Sequence, residues 1–164
     1  MSEILAFLSP DLASPEAVWR SPLERALEHA PAEITDVSLT GKLDVRGDVA
    51  SLKTRALEIV RITPERALVL CDFTRTADVR AKLERRFHVV DLSGTLAGLQ
   101  VRGETVMRRL TDLDLTALPA VGNVAHVQAY VLRDDAETFR LFFPQEYGHY
   151  VAEVVIDAVE GVKQ

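Results

Sequence analysis

Apolar and polar positions change period along the chain, and those changes mark out its elements. Residues 1–20 are irregular and punctuated by Pro10 and Pro15. Ser21-Pro22 then predicts a short helix, with the Ser21 hydroxyl as cap and Pro22 at the first helical position. Leu23, Ala26 and Leu27 form its apolar face, and Pro31 ends it. Residues 34–39 and 43–46 alternate apolar with polar, as half-buried strands do, and Gly41 marks a turn or bulge between them. Val49, Leu52, Ala56 and Ile59 recur at helical spacing before Pro64. Residues 66–71 predict a strand, and Val79, Leu83 and Phe87 fall on one helix face. Strands are predicted at 89–92 and 96–101, followed by a helix that opens at Gly103-Glu104 and carries Val106, Leu110 and Leu113. Pro119 and Gly122 break the chain. Residues 124–132 and 139–143 then read as a hairpin tipped by Asp134-Asp135. A last helix starts at Pro144, carries Tyr147, Val151, Val154 and Ala158, and is expected to stop at Gly161.

The resulting order is α-ββ-α-β-α-ββ-α-ββ-α. Its recurring strand–helix–strand–strand–helix grammar predicts an α+β fold of ferredoxin-like split βαβ units, with antiparallel sheets and flanking helices. The expected organisation is an irregular N-terminal segment, 1–20, and one compact domain, 21–164. That domain can be divided into two intertwined α+β halves, about 34–86 and 87–160.

Composition narrows the function classes. At 164 residues and 48% hydrophobic, the chain can bury a core without disulfides or metal. Cys71 is the sole cysteine, so no internal disulfide forms, and its place in an apolar run makes it a small buried hydrophobe. A net charge of −6 and a pI near 5.2 argue against nucleic acid, which demands a basic face. Arg80, Lys82, Arg85 and Arg86 cluster on one predicted helix, but Glu84 interrupts them and the group reads as a solvated face. The opening residues lack a basic leader pattern, and no apolar run approaches the ~20 residues of a membrane span. The expected compartment is cytoplasmic.

Catalytic motifs do not emerge. There is neither GxGxxG nor GxxxxGK[ST]. His29, His88, His126 and His149 are scattered, without the clustering a metal site needs. Ser93-Gly94 sits between two strands, outside any GxSxG elbow. The close acid pairs Asp112/Asp114 and Asp134/Asp135 fall at a helix end and a hairpin tip, where solvated carboxylates with ordinary pKa values are expected. No catalytic residue and no metal ligand is assigned.

One stretch carries a resemblance. Asp91-Leu92-Ser93, Gly103, Leu110 and Asp114-Leu115, followed by Pro119 and Gly122, resemble the folate-binding fold of the aminomethyltransferase family. Arg20-Ser21-Pro22-Leu23, the segment from Gly41-Lys42-Leu43 to Arg46-Gly47-Asp48, Phe139-Arg140-Leu141, Pro144, Tyr147 and Tyr150 are similar to the γ subunit of heterotetrameric sarcosine oxidase. Together these motifs span roughly residues 19–158. Active aminomethyltransferases place an aspartate on the hairpin after the proline–glycine pair, whereas this chain has no acid between Gly122 and Tyr130. They are also more than twice as long.

The resemblance therefore implies a non-catalytic γ-type subunit of a sarcosine-oxidase-like or folate-dependent demethylating complex. Flavin and NAD would lie on partner chains, and this chain alone would bind no cofactor. Under that reading Trp19, Leu23, Tyr147 and Tyr150 are the interface candidates, since aromatics anchor interfaces. Trp19 can equally cap the domain's own core. A second reading is a stand-alone protein that binds tetrahydrofolate or a similar small ligand, with Asp91, Arg102 and Tyr130 as candidate contacts. A homo-oligomer also fits the partner expectation.

Overall fold

The computed structural model describes residues 20–52 and 57–163. Among the described residues, nine strands run in the order β1 Ile34–Asp36, β2 Thr40–Arg46, β3 Glu58–Thr63, β4 Arg66–Asp72, β5 His88–Asp91, β6 Leu96–Arg102, β7 Ala120–Val124, β8 Val127–Arg133 and β9 Thr138–Pro144. Three α-helices, α1 Thr76–Leu83, α2 Glu104–Leu110 and α3 Gly148–Lys163, lie among them. All strand pairs are antiparallel. They form a five-stranded sheet ordered β1-β6-β9-β8-β7 and a four-stranded sheet ordered β3-β4-β2-β5.

Both sheets contain the split βαβ unit. In the smaller, β2 lies between β4 and β5, which α1 connects. In the larger, β9 lies between β6 and β8, and α2 with β7 makes the connection. One strand crosses between the sheets in sequence order. β1 precedes the smaller sheet's strands in sequence yet pairs with β6 of the larger sheet.

Three apolar clusters show how the layers stack. Leu43, Val45, Ala67, Val69 and Val89 pack with Val79 and Leu83 of α1. Leu99, Val101, Val131, Phe139, Leu141 and Phe143 pack beneath Val106, Met107 and Leu110 of α2 and Val151, Val155 and Val159 of α3. Val60, Leu68, Leu70, Tyr130, Leu132 and Phe142 join the inner faces of the two sheets. Period-2 alternation thus sends one strand face to the helices and the other to the opposing sheet.

Several predicted boundaries move. Residues 22–29 form successive turns rather than a regular helix, with the Leu23 backbone N–H donating to Ser21 Oγ at 3.0 Å. Gly41 lies inside β2, and the chain bends at residues 37–39 instead. A Cβ at Gly41 would come within 2.4 Å of Thr76 Oγ1 and 2.6 Å of Cys71 Sγ, so glycine there permits close packing rather than a turn. The helix expected from Val49 to Ile59 is a single 3-10 turn, Val49–Ser51, followed by β3. Ala56 lies outside the described residues. Val60 and Ile62 face the opposing sheet, and that burial outweighs a helical spacing of four apolar residues.

Strand β7 is an addition to the sequence reading. α2 stops at Leu110, and Leu113 instead packs where a side chain at Gly122 would stand, 2.6 Å from the Cβ position. α3 runs through Gly161 to Lys163.

Candidate functional site

The inner face of the smaller sheet is charged. On β2, Leu43 and Val45 point toward α1, so Lys42 and Asp44 point between the sheets. Both are buried, Lys42 at 0% and Asp44 at 1% exposure. Lys42 Nζ donates to the backbone oxygens of Ser38 at 2.7 Å and Thr40 at 2.8 Å, and stands 5.6 Å from the centre of the Phe142 ring. Desolvation draws its pKa from 10.5 down to about 8, against the pull of Asp91 and Asp36.

Asp44 is held by two guanidinium groups, Arg46 Nε at 2.9 Å and Arg66 Nε at 2.7 Å. Arg66, on β4, also donates from Nη2 to the Tyr130 hydroxyl on β8 at 2.6 Å, which bridges the sheets. The bond to Asp44 raises the Arg66 pKa despite partial burial. Burial raises that of Tyr130, with Arg66 opposing, so the phenol stays protonated at neutral pH.

Beside this Asp44–Arg66–Tyr130 chain lies a cleft of about 170 Å³. Arg66, Gln128 and Tyr130 supply its polar edge, and Leu92, Leu96, Val121 and Phe142 its apolar walls. A ligand there would meet hydrogen-bond donors at one end and hydrocarbon elsewhere. Its volume is well below the roughly 300–1,000 Å³ of pockets that enclose a drug-sized molecule.

The three ligand candidates from the sequence are not brought together. Tyr130 lines the cleft. Asp91 ends β5, accepts from the Ser93 backbone N–H at 2.9 Å and borders a separate hollow of about 460 Å³ with Phe73 and Thr95. Arg102 is exposed at the far end of β6, six residues beyond Leu96, a run of roughly 20 Å. Of the interface candidates, Tyr147 and Tyr150 are 47% and 43% exposed at the start of α3. Leu23 is fully buried beneath that helix, where it contacts the Cβ position of Gly148, and so presents no surface to a partner. Trp19 lies outside the described residues.

One acid of each close pair departs from the ordinary pKa expected of it. Asp114 is lowered by the Thr116 hydroxyl and backbone N–H, and Asp135 by the backbone N–H of Glu137 and by Thr138. Cys71 is half-buried on β4, and burial raises its thiol pKa.

Lys42, Asp44 and Arg66 carry this site, and sequence reasoning passed over all three as site residues. The signal was two opposite charges at i and i+2 on a strand, followed by an arginine on the next strong strand.

No protein-family model matches the chain, and no curated protein matches it in sequence. Solved structures do. A chain of heterotetrameric sarcosine oxidase from Corynebacterium sp. U-96 superimposes with a TM-score of 0.70 at 16% identity, covering 90% of this chain and 98% of that one. The fold is that of a heterotetrameric sarcosine oxidase chain. Aminomethyltransferase T of the glycine cleavage system from Bartonella henselae follows with a TM-score of 0.56 at 16% identity, over 82% of this chain. The match takes in 48% of that enzyme, so this sarcosine-oxidase-like fold spans about half its length. The regulatory subunit of aspartate kinase from Thermus thermophilus has a TM-score of 0.50 at 9% identity, over 76% of this chain and 96% of that one. Among the described residues, no helix is long and apolar enough to cross a membrane.

Proposed function

We propose that the chain is a non-catalytic γ-type subunit that supports a sarcosine-oxidase-like or folate-dependent demethylating complex. The end-to-end match carries this reading: nearly the whole of a heterotetramer's chain finds its counterpart here. The match to aminomethyltransferase takes in about half of that chain, so the fold accounts for only part of such an enzyme. The buried charges point the same way. Asp44 is engaged by two arginines and Lys42 by two carbonyl oxygens, which makes them structural ties rather than groups poised for proton transfer. Flavin and NAD chemistry then belongs to partner chains.

Isolation of the native protein at its natural expression level, with the mass of the intact particle measured, tests the proposal. The expected result is an assembly well above 18.2 kDa whose partner chain absorbs as a flavoprotein. An isolated 18.2 kDa species lacking any co-purifying oxidase or folate enzyme would overturn it.

A second reading is a stand-alone protein binding tetrahydrofolate or a similar molecule, although the cleft edged by Tyr130 and Arg66, at about 170 Å³, is too small to enclose a folate. Calorimetric titration of the purified chain with tetrahydrofolate decides it, and the absence of heat at high micromolar ligand would remove it.

A further inference from the structure

The cleft between the sheets has a chemistry of its own. Arg66 uses Nε for Asp44 and Nη2 for Tyr130. A guanidinium carries five N–H donors, so about three are left at this edge. Nη1 makes no hydrogen bond among the described residues. Tyr130 accepts from Arg66, which leaves its own O–H free to donate. Two cations, Arg46 and Arg66, stand around one anion, Asp44, so this end of the cleft carries an excess positive charge. The remaining walls, Leu92, Leu96, Val121 and Phe142, are apolar, and about 170 Å³ is room for only five or six waters.

We infer that this cleft binds a small organic monocarboxylate with a compact apolar body, its carboxylate against Arg66 and Tyr130 and its hydrocarbon between the sheets. Recognition of a carboxylate by a guanidinium fork plus a hydroxyl donor is charge-assisted, and the apolar walls disfavour a fully hydrated inorganic anion. The Asp44 carboxylate fixes the Arg66 fork in advance, which reduces the ordering cost of binding. Walls of this size reject a folate-sized molecule. The site is independent of the subunit reading, because every residue in it belongs to this chain.

Methyl and amide NMR titration of the full chain tests the inference, with sodium benzoate as the probe and benzyl alcohol and sodium sulfate as controls. Benzoate should give saturable shifts at Leu96, Val121 and Tyr130 in the millimolar range, and the two controls should be at least ~10-fold weaker. Arg66→Gln should weaken benzoate by ~10-fold or more, and Tyr130→Phe, which keeps the ring, by a few-fold. Should Arg66→Gln fail to fold, Tyr130→Phe provides the same readout. Absence of saturable benzoate shifts overturns the inference, as does benzyl alcohol binding as tightly as benzoate, or a Tyr130→Phe affinity unchanged from wild type. Sulfate shifting the same residues with equal affinity would also overturn it, since any anion would then suffice.

Discussion

At Lys42 the chain buries an ammonium group with no carboxylate in contact among the described residues, held by two backbone oxygens and an aromatic face. Those oxygens belong to Ser38 and Thr40, at the bend where the chain leaves β1 in one sheet for β2 in the other. The ammonium clips that bend. Its burial has a thermodynamic signature. The folded-state pKa of about 8 lies below the ordinary 10.5, so between these values the unfolded chain holds more protons than the native one. Stability from this group is therefore lowest below pH 8, rises through the window from 8 to 10.5, and is fully gained above it. Urea unfolding of wild type and Lys42→Met across that range should show their difference moving in favour of wild type as pH rises. A pH-independent difference would contradict the assignment. Nearby, Gly98 permits a contact that no other residue can. A Cβ there would stand 2.9 Å from both the Phe142 ring and the Val37 carbonyl oxygen. The strand cannot back away, because Gly98 N donates to Ser38 Oγ at 3.0 Å and its oxygen accepts from Val37 N at 2.9 Å. Gly98→Ala should cost about 1–3 kcal/mol in chemical denaturation, through overpacking.

Element by element, the sequence was most readable where one face meets water. α3 shows this, with Val151, Val155 and Val159 buried and Tyr150, Glu153, Asp157 and Glu160 outward. α2 is readable for the same reason, and its start is fixed locally: the Glu104 backbone N–H donates to the Glu137 carboxylate at 3.0 Å, and an acid at a helix N-terminus is favourable. Its inner face is anchored by Met107, fully buried under the larger sheet. Met107→Ala should lower the unfolding free energy by about 2–5 kcal/mol in chemical denaturation, the cost of a core cavity. A loss below 1 kcal/mol would mean the site collapses to fill the space, roughly as surface substitutions behave. The alternation in β2 was readable as a strand, but its polar phase was taken for a wet face. In a sandwich whose sheets each carry helices outside, there is no wet face, and Lys42 and Asp44 end up inside. β3 was obscured because its Val60 and Ile62 face another sheet far away in sequence, while Val49, Leu52 and Ile59 imitate a helix locally. β7 was hidden by Gly122, whose missing side chain is filled by Leu113.

For the whole molecule, two arginines tie the sheets together at separate places. Arg66 reaches from β4 to Tyr130, and Arg140 reaches from β9 to Glu58 on β3, with Nη1 at 3.0 Å from the carboxylate, while also holding Asp134 at its own hairpin. Burial disfavours the Arg140 charge, but Asp134 and Glu58 together hold its pKa above the ordinary value. No sequence pattern announces such a tie, since its partners are 82 residues apart. Glu58 is 47% exposed, so solvent screens the pair and its worth is modest. A double-mutant cycle with Arg140→Met and Glu58→Gln should return a coupling of about 0.5–1 kcal/mol that shrinks in high salt, measured by denaturant unfolding. Asp134→Asn serves as the reference, because it removes only the bond within the larger sheet. If the tie joins the layers, hydrogen exchange in β3 should accelerate in Glu58→Gln and stay near wild type in Asp134→Asn. Equal protection in both variants would leave the apolar layer of Val60, Leu68, Leu132 and Phe142 as the sole link between the sheets on this side, and the arginine as a surface ornament.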